Sequence, residues 1–87
     1  MTTFDFGDGN GPVAAHQHSN GGGWVANTAT VAETAYVGQD AKVYGNAVLS
    51  ANAMVSGNAM VFGNAKVYGK AKVYEGAKVS GNARMSG

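Results

Sequence analysis

Small and aliphatic residues recur along this chain with a period of six, separated by polar or aromatic residues. Alanine occupies every sixth position from Ala29 to Ala83, with Gly23 at the head of the series, and an aliphatic residue or methionine follows two positions later, from Val25 to Met85. Residues two apart point to the same face of an extended strand. The alanine and the aliphatic residue therefore predict a core, and the residues beside the aliphatic residue are predicted to face outward.

The remaining two positions of each hexad carry turn residues. Gly-Asn pairs stand there at 45–46, 57–58, 63–64 and 81–82. Glycine and asparagine adopt left-handed backbone conformations at low cost, so each hexad predicts a short strand and a corner. A fixed short period over eleven hexads is typical of a solenoid. Closure as a triangle takes three hexads, which predicts 18 residues per coil and stacks Asn46, Asn64 and Asn82 on one corner.

The hexads, which read V-Y-G-N-A-K and close variants, resemble those of the hexapeptide-repeat left-handed β-helix proteins. The resemblance covers residues 23–87 and implies an all-β fold, a left-handed parallel β-helix shaped as a triangular prism with between three and four coils. The chain departs from the family by often placing Tyr, Phe or Ser directly after the aliphatic residue, where the family prefers Gly or Ala. Right-handed or fibrous stacking stays open as the alternative.

One predicted face of the prism carries large apolar side chains. These are Trp24, Tyr44, Met60 and Phe62. A small monomer usually avoids such an outward patch, and the resemblance implies a trimer of parallel prisms. We therefore expect this face to form the interface of a homotrimer. The alternative is that aromatic residues simply favour strand positions.

Composition narrows the setting in which the protein acts. A conventional core is small in a chain of 87 residues, so repetition or oligomerisation must add stability. The absence of cysteine excludes disulfides and zinc-thiolate sites. The chain has no apolar run long enough for a membrane span, and its start, MTTFDFGDGNG, does not resemble a secretory leader. We expect a cytoplasmic or virion protein without a membrane partner.

Charge is distributed unevenly along the chain. Residues 1–40 hold four acidic and no basic residues, whereas residues 41–87 hold six basic residues and only Glu75. The last hexads combine cations with tyrosines, and we name these seven as candidates for binding an anion: Lys66, Tyr68, Lys70, Lys72, Tyr74, Lys78 and Arg84. Such residues can hold an anionic small molecule such as a nucleotide, in grooves between subunits, or a protein partner. The alternative is a solvating rim that protects a β-edge.

The resemblance also raises the question of catalysis, because hexapeptide acyltransferases and γ-class carbonic anhydrases share this fold. Those enzymes use histidines on the coils or at subunit interfaces. This chain has no histidine after His18, no loop inserted between hexads and no helical tail. We expect no catalytic residue and no enzyme activity, and keep a coenzyme A-dependent acyltransferase as a third hypothesis.

Residues 1–22 break the period and are predicted to form an irregular, glycine-rich cap. Phe4, Phe6 and Val13 are expected to cover the open end of the first coil, as solenoids require. His16 and His18 resemble the H-x-H element that binds iron in some phage fibres. Three chains would supply six imidazoles, which suits an octahedral metal such as iron or nickel; the alternative is a cap without metal, and no other cofactor is expected.

These features together predict a non-enzymatic, trimeric β-helix that serves as a compact structural or binding module. Glycine-rich leaders followed by such hexads resemble small non-catalytic repeat proteins of bacterial or phage origin. Nucleic acid is not an expected partner.

Overall fold

The computed structural model describes residues 2–7, 9, 11–50 and 52–86, and within them the chain forms thirteen β-strands and no helix. The first two strands precede the repeat: β1 (Thr3–Asp5) and β2 (Pro12–Gln17). The others follow the hexads: β3 (Trp24–Ala26), β4 (Thr30–Val31), β5 (Tyr36–Val37), β6 (Lys42–Val43), β7 (Val48–Leu49), β8 (Met54–Val55), β9 (Met60–Val61), β10 (Lys66–Tyr68), β11 (Lys72–Val73), β12 (Lys78–Val79) and β13 (Arg84–Ser86).

The strands of the repeat stack into a parallel β-solenoid of about three turns, as the six-residue period predicts. Each strand pairs with the strand one coil later, so that Thr30 lies beside Val48 and Tyr36 beside Met54. The register is thus 18 residues per coil, which confirms the prediction. The described strands form three sheets, ordered β1-β2-β3-β6-β9-β12, β13-β10-β7-β4 and β11-β8-β5.

The inward positions of the hexads form the core, also as predicted. From Ala35 to Ala65 every repeat alanine is at most 1% exposed, and the aliphatic residues from Val37 to Val67 are fully buried. Burial is lost near the last coil, where Ala77 and Ala83 are exposed and Met85 is half-buried. A coil in the middle of the stack is covered on both sides, whereas the last described coil is covered on one.

The corners are tight turns that stack on one another. The N–H of the repeat alanine donates to the carbonyl three residues earlier, as from Ala35 to Ala32 (3.0 Å). Several corners begin with a glycine at positive φ, among them Gly45 (70°) and Gly63 (70°). Glu75 occupies the equivalent position one coil after Gly57 and is the one described non-glycine residue with positive φ (57°). The corners at Gly45, Gly57 and Gly63 lie directly on the backbone of the next coil.

The N-terminal segment is a β-hairpin, so the prediction of an irregular cap differs from the structure. β1 runs antiparallel to β2, and β2 runs antiparallel to β3, with His16 opposite Val25. Glycines at positive φ, including Gly7 and Gly11, lie between the two hairpin strands. The reason for the difference is that β3 would otherwise expose unpaired backbone groups at the edge of its sheet, and β2 pairs with them.

The stretch between β2 and β3 covers a second sheet edge. The N–H of Gly23 donates to the carbonyl of Val37 (2.9 Å), and the N–H of Val37 donates to the carbonyl of Asn20 (3.0 Å). The first coil is therefore closed by backbone pairing on two of its three sides. The described residues include no helix with the length and apolar character needed to cross a membrane.

Candidate functional site

Aromatic rings stack along the outward face of the first sheet. Phe6, Tyr44 and Phe62 form a column that we call the aromatic ladder, with ring centroids 4.8 Å apart between Phe6 and Tyr44 and 5.0 Å apart between Tyr44 and Phe62. The interplanar angles are 21° and 4°. Tyr44 and Phe62 occupy the same hexad position one coil apart, so their stacking follows from the 18-residue coil. Phe6 joins them from the hairpin.

A second ring pair fixes the hairpin on this face. Phe4 stacks on Trp24 at 4.7 Å and meets Phe6 edge to face at 4.8 Å. The Lys42 Nζ lies 5.9 Å from the centroid of the Phe4 ring, within the range of a cation–π contact. Phe4 and Phe6 thus cover the side of the solenoid, whereas the sequence predicted that they would cover its end.

The predicted interface residues are only partly available for contact with another chain. Tyr44 is 6% exposed because Phe6 and Phe62 sandwich it, and it belongs to the protein's own core. Trp24, Met60 and Phe62 are half-buried. The alternation of Phe4 and Phe6, mirrored by Val13 and Ala15 after a glycine-rich turn, is the sequence signal that indicates a hairpin with one apolar side.

The predicted anion-binding cations are all exposed, and they surround the last coils. We call Lys66, Lys70, Lys72, Lys78 and Arg84 the basic collar. Lys66 lies beside Arg84 in the second sheet, while Lys72 is on the third sheet and Lys78 on the first. Within the described part of the chain, none of these side chains forms an ion pair or hydrogen bond.

The two tyrosines of the candidate set are the most exposed large apolar residues in the described structure. Tyr68 is 41% exposed and lies two residues after Lys66, and Tyr74 is 58% exposed and lies two residues after Lys72. An open depression of about 630 Å³ lies at the last coil, lined by residues 72–79 and Met85. Three of the seven predicted residues, Lys72, Tyr74 and Lys78, therefore line one depression. The other four lie outside it, with Lys66, Tyr68 and Arg84 on the second sheet.

The two histidines bind to different partners within their own chain. The His18 ring is 7% exposed, and its Nε2 donates to the carbonyl of Ala35 at 2.7 Å. His16 is exposed, and its Nδ1 bonds to the Asn27 Oδ1 at 2.7 Å. Among the described residues no group of three or more His, Asp or Glu side chains could hold a metal. The predicted six-histidine metal site requires three chains and stays a prediction.

The predicted asparagine stack lies on the corner between the first and second sheets. The Asn64 Nδ2 donates to the Asn82 Oδ1 at 3.5 Å, one coil apart, and both side chains are exposed. The backbone beneath them is also paired, because the N–H of Asn64 donates to the carbonyl of Gly81 at 2.8 Å. Amide groups therefore line the corner that follows Phe62 and Ser80.

Comparison of this chain with family models, with curated proteins and with solved structures found no match.

Proposed function

We propose that this protein is a non-enzymatic binding module, in which a β-solenoid presents the basic collar and its tyrosines to an anionic ligand. The observation that carries the proposal is that five exposed cations without an ion-pair partner in the described structure surround coils that also expose Tyr68 and Tyr74. Cations beside aromatic rings attract anions that also carry an aromatic or apolar part.

The arrangement of charge favours binding over a purely solvating rim. Lys66 and Arg84 are direct neighbours in paired strands, and like charges in that position repel each other. A rim of mixed sign would protect the edge equally well without this repulsion. Glu75 is the one acidic residue in the second half of the chain, and it does not pair with any of the described cations. Surplus positive charge of this kind is neutralised when an anion binds.

The buried His18 supports the non-enzymatic part of the proposal. A general base needs a nitrogen that can reach the substrate, whereas His18 is 7% exposed and uses Nε2 to bond a backbone carbonyl. His16 is exposed and bonds Asn27 through Nδ1, so it is the histidine that the acyltransferase hypothesis would need. The acyltransferase hypothesis requires coenzyme A to bind, which calorimetry at millimolar ligand tests directly.

A nucleotide titration tests the collar. We expect ATP to bind with an affinity that falls as salt rises, because ion pairs with exposed cations are screened. Lys66→Glu should weaken binding about tenfold, since it replaces an attraction by a repulsion beside Arg84. Calorimetry at two salt concentrations measures both effects.

The matched control is Lys42→Glu, which changes the net charge equally but lies on the first sheet beside Phe4. It should leave ATP affinity within about twofold. Equal losses from both variants would show a general charge effect and contradict a collar site. No binding at millimolar ATP would favour the alternative of a purely structural module.

The proposal includes a homotrimer of left-handed prisms belonging to the hexapeptide-repeat family. The 18-residue coil and the core of alanine and valine support the family assignment. Half-buried Trp24, Met60 and Phe62 leave apolar surface beside the hairpin, which supports an interface on that side. Tyr44 contributes from within each chain by holding Phe62 in place.

Light scattering at micromolar concentration tests the assembly. We expect a trimer for the natural sequence and dissociation for Phe62→Asp, because a carboxylate would be buried at the interface. Lys78→Asp, on the same face but exposed, should remain trimeric. Since Phe62 also stacks on Tyr44, near-ultraviolet circular dichroism must show that the dissociated variant is still folded. A natural sequence that is monomeric would refute the trimer.

A further inference from the structure

We infer that the aromatic ladder has an open position beside the Phe62 ring, where the next coil carries Ser80 in place of an aromatic residue. We infer further that this position binds a planar aromatic ring carrying a phosphate or carboxylate. The inference rests on the proposed function, to which it adds a second binding place and a ligand class. This second place is on the first sheet, between β9 and β12, and is distinct from the place on the second sheet where Lys66 and Arg84 are neighbours. The ligand class is represented by a nucleoside monophosphate.

The hexad positions that carry the aromatic ladder determine where a further ring can stack. The residues that follow the aliphatic residue on the first sheet are Ala26, Tyr44, Phe62 and Ser80. Rings in this column lie nearly parallel at 5.0 Å, close to the distance of about 4.8 Å between neighbouring strands. A ring in one coil is therefore placed to stack on a ring in the next. The column has rings in its two middle coils and small residues at both ends.

The first end of the column shows how the space beside a small residue is filled by a ring. Ala26 has almost no side chain, and Phe6 from the hairpin stacks on Tyr44 at 4.8 Å in the space that remains. Phe6 becomes 4% exposed as a result, and Ala26 is 2% exposed. The protein thus contains a filled example of the site: a small residue in the column, an inserted ring and a stacked aromatic neighbour.

The other end has the same construction without the inserted ring. The N–H of Phe62 donates to the carbonyl of Val79 at 2.9 Å, so the backbone just before Ser80 lies directly against that of Phe62. Ser80 is exposed, and Phe62 is only half-buried. Among the described residues, Tyr44 is the ring that stacks on Phe62, and it covers one of the two ring faces. The second ring face is turned toward Ser80.

The polar surroundings indicate which ring would bind. Lys78 lies two residues before Ser80 on the same outward side of β12, exposed and without an ion-pair partner in the described structure. Asn82 follows at the corner with its amide hydrogen-bonded to Asn64. Stacking on Phe62 favours a planar ring, and Lys78 favours a negative group attached to it. Because the ring would stack along the solenoid axis, its binding is compatible with a trimer contact at the outer edge of Phe62.

Filling the position from within the chain tests the inference. Ser80→Phe should extend the ladder, weaken binding of adenosine monophosphate at least about tenfold and raise Tm by several degrees, because the new ring occupies the space and buries apolar surface. The matched control is Ala32→Phe, at the same hexad position on the second sheet, where the residue of the next coil is Ser50 and carries no ring; it should leave the affinity within about twofold. Calorimetry and thermal denaturation provide both readings.

A measurement on the natural sequence makes the test independent of how the variant folds. Adenosine monophosphate should give intermolecular nuclear Overhauser effects between its base protons and the Phe62 ring, and adenosine should bind at least about fivefold more weakly because it lacks a charge for Lys78. Absence of these effects in a saturated sample, or an unchanged affinity in folded Ser80→Phe, would overturn the inference. If either result is obtained but nucleotide binding still depends on Lys66, the further inference fails and the proposed function is retained. If no nucleotide binds at millimolar concentration, both fail.

Discussion

Replacing Phe6 by alanine is expected to lower the free energy of unfolding by about 3 to 5 kcal/mol, a typical cost of truncating a buried aromatic side chain. Phe6 is 4% exposed and stacks on Tyr44 at 4.8 Å. Its removal leaves a gap beside Ala26, whose methyl group is too small to fill it. It also uncovers one face of the Tyr44 ring, so the hairpin keeps its backbone pairing to β3 but loses a side-chain contact with the solenoid. Urea denaturation followed by tyrosine and tryptophan fluorescence measures the change.

Thr3→Ala is the matched control, because Thr3 belongs to β1, the strand that Phe6 directly follows, but is exposed. It should change stability by no more than about 0.5 kcal/mol. Phe6→Ala should also speed hydrogen exchange at the amides of β2, whereas the amides of β9 should stay protected. A stability loss below about 1 kcal/mol for Phe6→Ala would show that the hairpin is not packed on the ladder in solution.

The hairpin covers part of the apolar face that the sequence predicts to be a subunit interface. From the strand pattern alone, Tyr44 and Phe62 are expected to form a patch that another subunit covers. In the structure, part of that patch is covered by Phe4 and Phe6 of the same chain. The surface left for a partner is smaller and lies at Met60 and Phe62, toward the last coils, where the cations also concentrate. Assembly and ligand binding are therefore both expected at this half of the protein.

The repeat part of the fold follows from local rules that the sequence displays. A spacing of two between Ala29 and Val31 fixes which side chains point inward, and a spacing of six repeats that choice without interruption. Closure after 18 residues then determines which residues stack, so the neighbours Lys66 and Arg84 could be predicted before the structure was known. The exposed collar follows from the same rules, because all of its members lie at outward or corner positions.

The hairpin could not be predicted in the same way, because it lies outside the period. Phe6 and Tyr44 are far apart in the sequence, and no repeat relates them. Alternation in TFDF indicates a strand with one apolar side, but it does not say which edge or face of the solenoid that strand will occupy. The contact of His18 with Ala35 is unpredictable for the same reason, since it depends on where the segment after β2 crosses the first coil.

Gly45→Ala is expected to lower the free energy of unfolding by about 2 to 5 kcal/mol, the sum of two effects. The first is conformational: Gly45 has a φ of 70°, where an L-residue costs about 1 to 2 kcal/mol. The second is steric: a Cβ there would lie 2.8 Å from the backbone nitrogen and 3.1 Å from the carbonyl oxygen of Gly63 in the next coil. Backbone atoms cannot rotate away as a side chain can, so the coils must separate, at a further cost of about 1 to 3 kcal/mol.

Gly81→Ala separates the two effects, because Gly81 occupies the same corner position with no described residue stacked on it. Gly81 has a φ of 63°, but a Cβ there would meet no atom within 4 Å among the described residues. Its substitution should therefore cost only the conformational part, about 1 to 2 kcal/mol. Urea denaturation of both variants gives the steric part as the difference between them. Equal losses would mean that the stacked corners have room for a methyl group, and that the coil spacing is set by the ladder and the core rather than by glycine at the corners.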